Sequence, residues 1–192
     1  MENIIEYKNL YRVSKFLSLV LRHKPEIIGL TLNKQGWAEV NTLVDLVQQK
    51  GIRLNHSILE QIVINNDKKR FSFNEDKSKI RANQGHSIAV NLNLVSRKPP
   101  EYLFHGTAAK FIESIYSLGL LRRKRNHVHL SSDEFAAIKV GKRHGTPIVL
   151  KIRAEEMYYA GHSFYLSENQ VWLTNHVPPE YISSLQQEKH LI

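Results

Sequence analysis

The chain has 192 residues, no cysteine, 42% hydrophobic and 23% charged residues, and a formal net charge of +9 at pH 7. The lack of cysteine excludes disulfides, thiolate nucleophiles and thiolate-bound zinc, and fits a reducing compartment, for which the expectation is the cytoplasm. No apolar run approaches the roughly 18 residues of a membrane span, and the acidic start MENIIEYKNL lacks the charge pattern of a secretory leader, so neither a membrane nor a signal peptide is expected.

A positive excess of this size attracts polyanions, nucleic acid foremost. Residues 1–98 hold 16 Lys/Arg against 9 Asp/Glu, and residues 99–192 hold 11 against 9, so most of the excess sits in the first half. In chain order, Leu10, Val13, Phe16, Leu17, Val20 and Leu21 fall at helical spacing, and Pro25 ends that helix. GWAEV reads as a turn into a short extended piece. Asn41 is the expected N-cap of a helix over TLVDLVQQK that Gly51 terminates, and HSILEQIVINN reads as a further helix. KRFSF and KIRAN alternate on either side of the polar cluster NEDKS, the pattern of a hairpin. Helices followed by a hairpin make a small winged-helix-like unit.

SRKPPEY is the candidate boundary, with Pro99 and Pro100 stiffening the connection. It divides the chain into an expected first domain, 1–97, and a second, 98–192. Beyond it, short apolar strands (YLFHGT, HVHLS, PIVLKI, VWLT) mix with helices near AAKFIESIYSLGL and DEFAAIKVGKRHG, an α+β pattern.

Candidate chemistry sits at few places. Arg22, His23 and Lys24 stand together before Pro25. Basic residues in a last helical turn complement the helix dipole. The same Arg and His can also grip phosphate, Arg through its fork of N–H donors and His through a proton it can move near neutral pH. Arg70 in DKKRFSF and Arg143 in VGKRHGTP are further cations, each equally at home as a solvated surface charge. His105, Gly106 and Thr107 end the strand YLFHGT, where a glycine allows a ribose or phosphate close to the backbone. His127 and His129 share a strand face, but no carboxylate or thiolate completes a ligand set, so no metal is expected. Trp172 reads as core.

Read together, SKFLSLVLRHKPEIIGLTL, GWAEV, DKKRFSF, IRANQGHS, YLFHGT, HVHLSSD, VGKRHGTPIVL and FYLSENQVWLT resemble, in order and over nearly the whole chain, the NAD-dependent RNA 2′-phosphotransferase family of tRNA splicing. The resemblance implies an N-terminal winged-helix lobe facing RNA and a C-terminal lobe of the ADP-ribosyltransferase fold binding NAD. It assigns phosphate handling and catalysis to Arg22, His23, Arg70 and Arg143. It places a His-His-Val signature at His105, His129 and Val171, with Gly106, Thr107 and Ser131 beside it on NAD. The implied partners are NAD as co-substrate and an RNA carrying an internal 2′-phosphate, with a monomer expected. One departure stands out: where many members have Asn-Gly before Val-Trp, this chain has Asn169-Gln170, a cost if the turn needs a positive φ. Two other functions fit parts of the pattern. An ADP-ribosyltransferase acting on terminal nucleic-acid phosphates or protein side chains would keep the fold and stop after one step. A winged-helix nucleic-acid binder without catalysis would explain the basic first half only.

Overall fold

The computed structural model describes residues 2–143 and 145–184, and for residues 2–8 the backbone alone. The end of the expected second domain, 185–192, lies outside the described residues, as does His144 near the end of the expected helix over DEFAAIKVGKRHG. The chain forms two compact units that divide between Asn93 and Leu94. Ser96 already bridges to Tyr165, and the Arg97 N–H bonds the Phe164 carbonyl at 2.8 Å. The change of unit therefore falls ahead of Pro99 and Pro100.

In the first unit, α1 (Glu2–Arg22) turns Val13, Leu17, Val20 and Leu21 into the core at the spacing expected of a one-sided helix. Pro25 opens a 3-10 turn (Pro25–Ile28) that Gly29 closes at φ 69°. β1 (Ala38–Glu39) runs straight into α2 (Val40–Gln49), whose Leu43, Val44 and Val47 are buried. The helix begins ahead of the expected cap. Glu39, not Asn41, holds the N-cap position, and it makes no side-chain cap bond. The Val40 N–H is instead bonded to the Ser78 carbonyl at 2.8 Å, so sheet pairing carries the chain into the helix. Asn41, inside the first turn, pairs its Oδ1 with His56 Nε2 at 2.8 Å. α3 (His56–Ile64) has the side-chain cap that α2 lacks, Asn55 Oδ1 accepting the Ile58 N–H at 2.8 Å. β2 (Phe71–Phe73) and β3 (Lys79–Ala82) form the expected hairpin, and the antiparallel sheet runs β1-β3-β2 with Phe71 opposite Ala82.

The second unit follows the order β4 (Tyr102–Ala108), α4 (Ile112–Leu118), β5 (Leu120–Leu121), β6 (Val128–Leu130), α5 (Glu134–Gly141), β7 (Pro147–Arg153), α6 (Ala154–Tyr159), β8 (Phe164–Leu166), β9 (Trp172–Thr174), β10 (His176–Val177) and β11 (Ile182–Ser184). The strands make two antiparallel three-stranded sheets, β11-β7-β4 and β6-β9-β8, and a small β5–β10 pair. Phe104 and Ser131 exchange two backbone hydrogen bonds of 2.8 Å and so tie β4 to the end of β6. Leu103, Leu150, Ile152, Met157 and Phe164 fill the core, with Trp172 among them as its apolar setting predicts. Helices beside antiparallel sheets make the chain α+β. Among the described residues no helix is long and apolar enough to cross a membrane.

Gly106 and Gly141 fix how α5 lies on β4. A Cβ at Gly106 would land on the Ala137 carbonyl oxygen, and one at Gly141 would stand 2.6 Å from the Thr107 carbonyl oxygen. The Cβ side of Gly106 is thus taken by a helix backbone. Gly106→Ala is expected to cost more than about 3 kcal/mol, because backbone cannot yield as a side chain can. Gly161→Ala, at φ 94° with open space around it, should cost only about 1 kcal/mol. Thermal unfolding of the two variants beside the parent checks the contrast.

Candidate active-site residues in the two units

In the first unit the candidate cations gather where α1 ends. Arg22 is the last helical residue, and His23 follows with its N–H on the Leu19 carbonyl at 2.9 Å. Both side chains are half-buried, whereas Lys24 is exposed, the solvated neighbour. The Arg22 guanidinium donates from Nη2 to the Arg70 carbonyl at 3.3 Å and lies 6.0 Å from the Phe71 ring centre. Burial of Phe71 in the hairpin thereby sets the place of both arginines.

Arg70 sits one residue before β2 and is held by amides. Its Nη1 donates to Asn66 Oδ1 at 3.0 Å, and the Asn83 N–H donates to its carbonyl at 2.9 Å. Asn83 Nδ2 donates to the Lys69 carbonyl at 2.7 Å. Lys69 is left-handed at φ 40°, so these bonds fix a backbone that a lysine rarely adopts. Both asparagines are buried. Arg81 stacks 4.5 Å over the Trp37 ring.

The loop after β3 closes the set. The Ser87 N–H donates to the Arg22 carbonyl at 2.9 Å, and Ser87 Oγ pairs with His23 Nδ1 at 2.9 Å. Gly85 lies with its open side against the Arg22 guanidinium, 3.6 Å from Nη1 to where a Cβ would stand. Between them His86 is 2% exposed, and its Nε2 has no hydrogen-bond partner among the described residues. Burial first, then the charges of Arg22, His23 and Arg81, push this imidazole down to about 4. Burial is the main reason the ring stays neutral, and the neighbouring cations add to it.

In the second unit, His105 lies in β4, and its Nδ1 donates to the His129 carbonyl at 3.0 Å, leaving Nε2 as the acceptor. Burial lowers its pKa, the bond to the His129 carbonyl opposes the shift, and Arg125 adds to it. His129 Nδ1 faces Arg125 Nη1 at 3.3 Å. A guanidinium can only donate, so the proton of a neutral His129 sits on Nε2. Ser131 Oγ accepts the Asp133 N–H at 3.0 Å, and Asp133 caps α5 through the N–H groups of Phe135 and Ala136. Thr107 is buried in β4. Val171 is tied to Ser167 by the pair N–H to Oγ at 3.0 Å and carbonyl to N–H at 3.0 Å. That turn does require a positive φ, and Gln170 supplies it at 60°. Arg143 belongs to this unit, exposed just past α5, with its N–H on the Val140 carbonyl at 3.2 Å. His127 packs edge-on to Tyr165 at 5.7 Å. Among the described residues no group of three His, Cys, Asp or Glu side chains could hold a metal ion.

The structure brings Arg22, His23 and Arg70 together in one unit and His105, Gly106, Thr107, His129 and Ser131 in the other, where Val171 precedes β9 beside β6. Asn66, Asn83, His86 and Ser87 were not singled out from sequence. ANQGHS offers no periodicity, and its contacts reach back as far as 64 residues.

Comparison with known proteins gives the family. The sequence profile described as RNA 2′-phosphotransferase, Tpt1 / KptA family matches residues 8–176, and the chain belongs to that family. A relative from Flavobacterium johnsoniae, named probable RNA 2′-phosphotransferase, is 59% identical over 170 residues, covering 88% of this chain and 93% of its own. Relatives of the same name from Acaryochloris marina and Rhodopirellula baltica are each 50% identical, covering 93% and 92% of this chain and 99% and 96% of their own.

Two outcomes follow from the geometry. As pH falls from the ordinary 6.5 of a free histidine toward 4, the unfolded chain takes up a proton that folded His86 refuses. Stability is therefore lost over that window, by on the order of 3 kcal/mol at its end. His86→Gln should remove this part of the slope in urea unfolding across the window, and an unchanged slope would show that the ring is not held neutral. Gln170→Gly relieves a left-handed backbone and is expected to stabilise by about 0.5 kcal/mol after the added freedom of the unfolded chain is counted. Thermal unfolding reads it.

Proposed function

We propose that this protein removes an internal 2′-phosphate from RNA by transferring it to NAD. The products are RNA with a free 2′-OH, nicotinamide and ADP-ribose 1″,2″-cyclic phosphate, by way of a 2′-phospho-ADP-ribosylated RNA. The first unit, three helices and a small sheet ending in a hairpin, is assigned as the winged-helix-like, RNA-facing lobe. The second is assigned as the ADP-ribosyltransferase-like lobe that takes NAD. The observation that carries the reading is the set Arg22, His23 and Arg70, in which the Arg22 guanidinium bonds the Arg70 carbonyl, Ser87 bonds the His23 ring and Asn66 holds the Arg70 guanidinium.

A phosphate dianion is already a competent nucleophile, so no serine or cysteine has to be activated, and the work left to the protein is placement and charge stabilisation. Arg22 and Arg70 offer N–H donors that share one anchor, the Arg70 main chain, so both hold a phosphate from a fixed frame. Arg143 is assigned to phosphate handling as well. His23 serves as the acid that protonates the departing RNA oxygen. NAD fits the donor set of the second unit. Neutral His105 presents an accepting Nε2 and His129 a donating one, the pair of roles that ribose hydroxyls require. Thr107, Ser131 and Val171 shape that site, and Gly106 serves it indirectly by seating α5. NAD supplies the ribosyl carbon that accepts the phosphate. No resident metal is part of this reading.

Purified protein incubated with NAD and a short RNA bearing one internal 2′-phosphate should yield nicotinamide, dephosphorylated RNA and the cyclic product. An unphosphorylated twin should give none of them. Arg22→Ala is expected to slow the reaction by at least about a hundredfold. RNA that gains ADP-ribose and keeps it would mean the reaction stops after one step, and no nicotinamide from either RNA would sink the proposal.

A further inference from the structure

We infer that Ser87 is a positioning residue that fixes the His23 ring so that Nε2, not Nδ1, is the atom that works on the RNA 2′-phosphate. The inference rests on the phosphotransferase reading and names a residue that the reading did not need.

A helix leaves its last carbonyls without partners inside the helix, so the chain beyond its end is free to wander unless something closes them. At α1 the closing group comes from far along the sequence. The Ser87 N–H takes the Arg22 carbonyl at 2.9 Å, which fixes the backbone from which His23 departs. The same residue then reaches the next side chain, Oγ to His23 Nδ1 at 2.9 Å across 64 residues of sequence. Two bonds from one residue, one to the backbone at position 22 and one to the ring at position 23, define both where the ring starts and how it is turned.

The loop that carries Ser87 is itself held. Gly85, at φ 87°, lets it pass against the Arg22 guanidinium, and buried His86 plugs it into the core with Nε2 3.5 Å from the Cβ position of Gly36. Ser87 therefore cannot follow His23 if the ring moves. An imidazole with Nδ1 engaged delivers its proton chemistry at Nε2, and the hydrogen bond on the first nitrogen decides what the second can do. When His23 is protonated, Nδ1–H donates to the serine oxygen and Nε2–H is directed at the leaving oxygen.

The pair is exposed enough for water to compete, so the hydroxyl orients the ring rather than creating its acidity. Ser87→Ala is a clean probe because it keeps the N–H bond to Arg22 and removes only the partner of the ring.

The test uses the intact protein with NAD and the 2′-phosphorylated RNA. Ser87→Ala should lower kcat roughly tenfold, the scale of one lost orienting hydrogen bond, with KM for RNA changed less than about twofold. Ser87→Thr, which restores a hydroxyl, should recover most of the rate. In a His23→Ala background the Ser87→Ala change should have no further effect. In the protein alone, nitrogen-15 spectra should show the His23 Nδ1 resonance moving in Ser87→Ala. An active parent with an unaffected Ser87→Ala variant, or losses that add in the double variant, overturns the positioning role alone. An unmoved Nδ1 resonance overturns the contact. A parent that leaves the RNA 2′-phosphate in place refutes the functional reading, and the positioning role falls with it.

Discussion

Positive charges crowded at one helix end repel one another, and the first unit is built around holding them there. Arg22 bonds the Arg70 carbonyl and Arg70 the Asn66 amide, with the Phe71 face behind Arg22. Dipoles of this kind hold geometry and leave net charge in place. The stabilisation that offsets the repulsion comes from elsewhere, from Leu17, Val20, Leu21, Leu43, Leu59 and Ile80 packed without exposure behind the site. His86, buried beside these charges, refuses a proton mainly because it is buried and further because of them.

The second unit solves a different problem, that of holding two histidines in opposite hydrogen-bonding roles. Here each ring is set by a partner whose chemistry allows only one answer. A carbonyl can only accept, so His105 donates from Nδ1; a guanidinium can only donate, so His129 accepts at Nδ1. The partners come from the sheet itself and from the turn leading into β6, so the roles are set by the fold and do not wait for a ligand.

Much of this was legible in the sequence where the signal is local. The spacing from Leu10 to Leu21 gave α1, Pro25 its end, and the alternation around NEDKS the β2–β3 hairpin. The cap of α2 was misread because Asn41 has the right chemistry for an N-cap, while the actual partner of the Val40 N–H is the Ser78 carbonyl, in the bend just before β3. Gly106 drew attention as a place of close backbone approach, and on its Cβ side the approach is made by the α5 backbone. Asn66, Asn83 and Ser87 look like ordinary loop residues, because what they do depends on hydrogen bonds to distant chain segments that no periodicity encodes. The turn at Gln170 was flagged only through a resemblance, since a glutamine carries no mark of the left-handed backbone it occupies here.

The packing of α5 on β4 has a consequence for the tolerances of the second unit. Phe104 is bonded to Ser131, Ser131 to the Asp133 that caps α5, and α5 rests on Gly106, next to the His105 that reaches the His129 carbonyl. Followed round, these contacts form a closed loop with no slack: each member is located twice, from either direction. Such a loop behaves as an over-constrained linkage in engineering does. It has no soft coordinate along which a small error could be absorbed, so an error at one joint appears as displacement at all of them. The clearance at Gly106, less than one methyl group, sets the machining limit for the whole circuit.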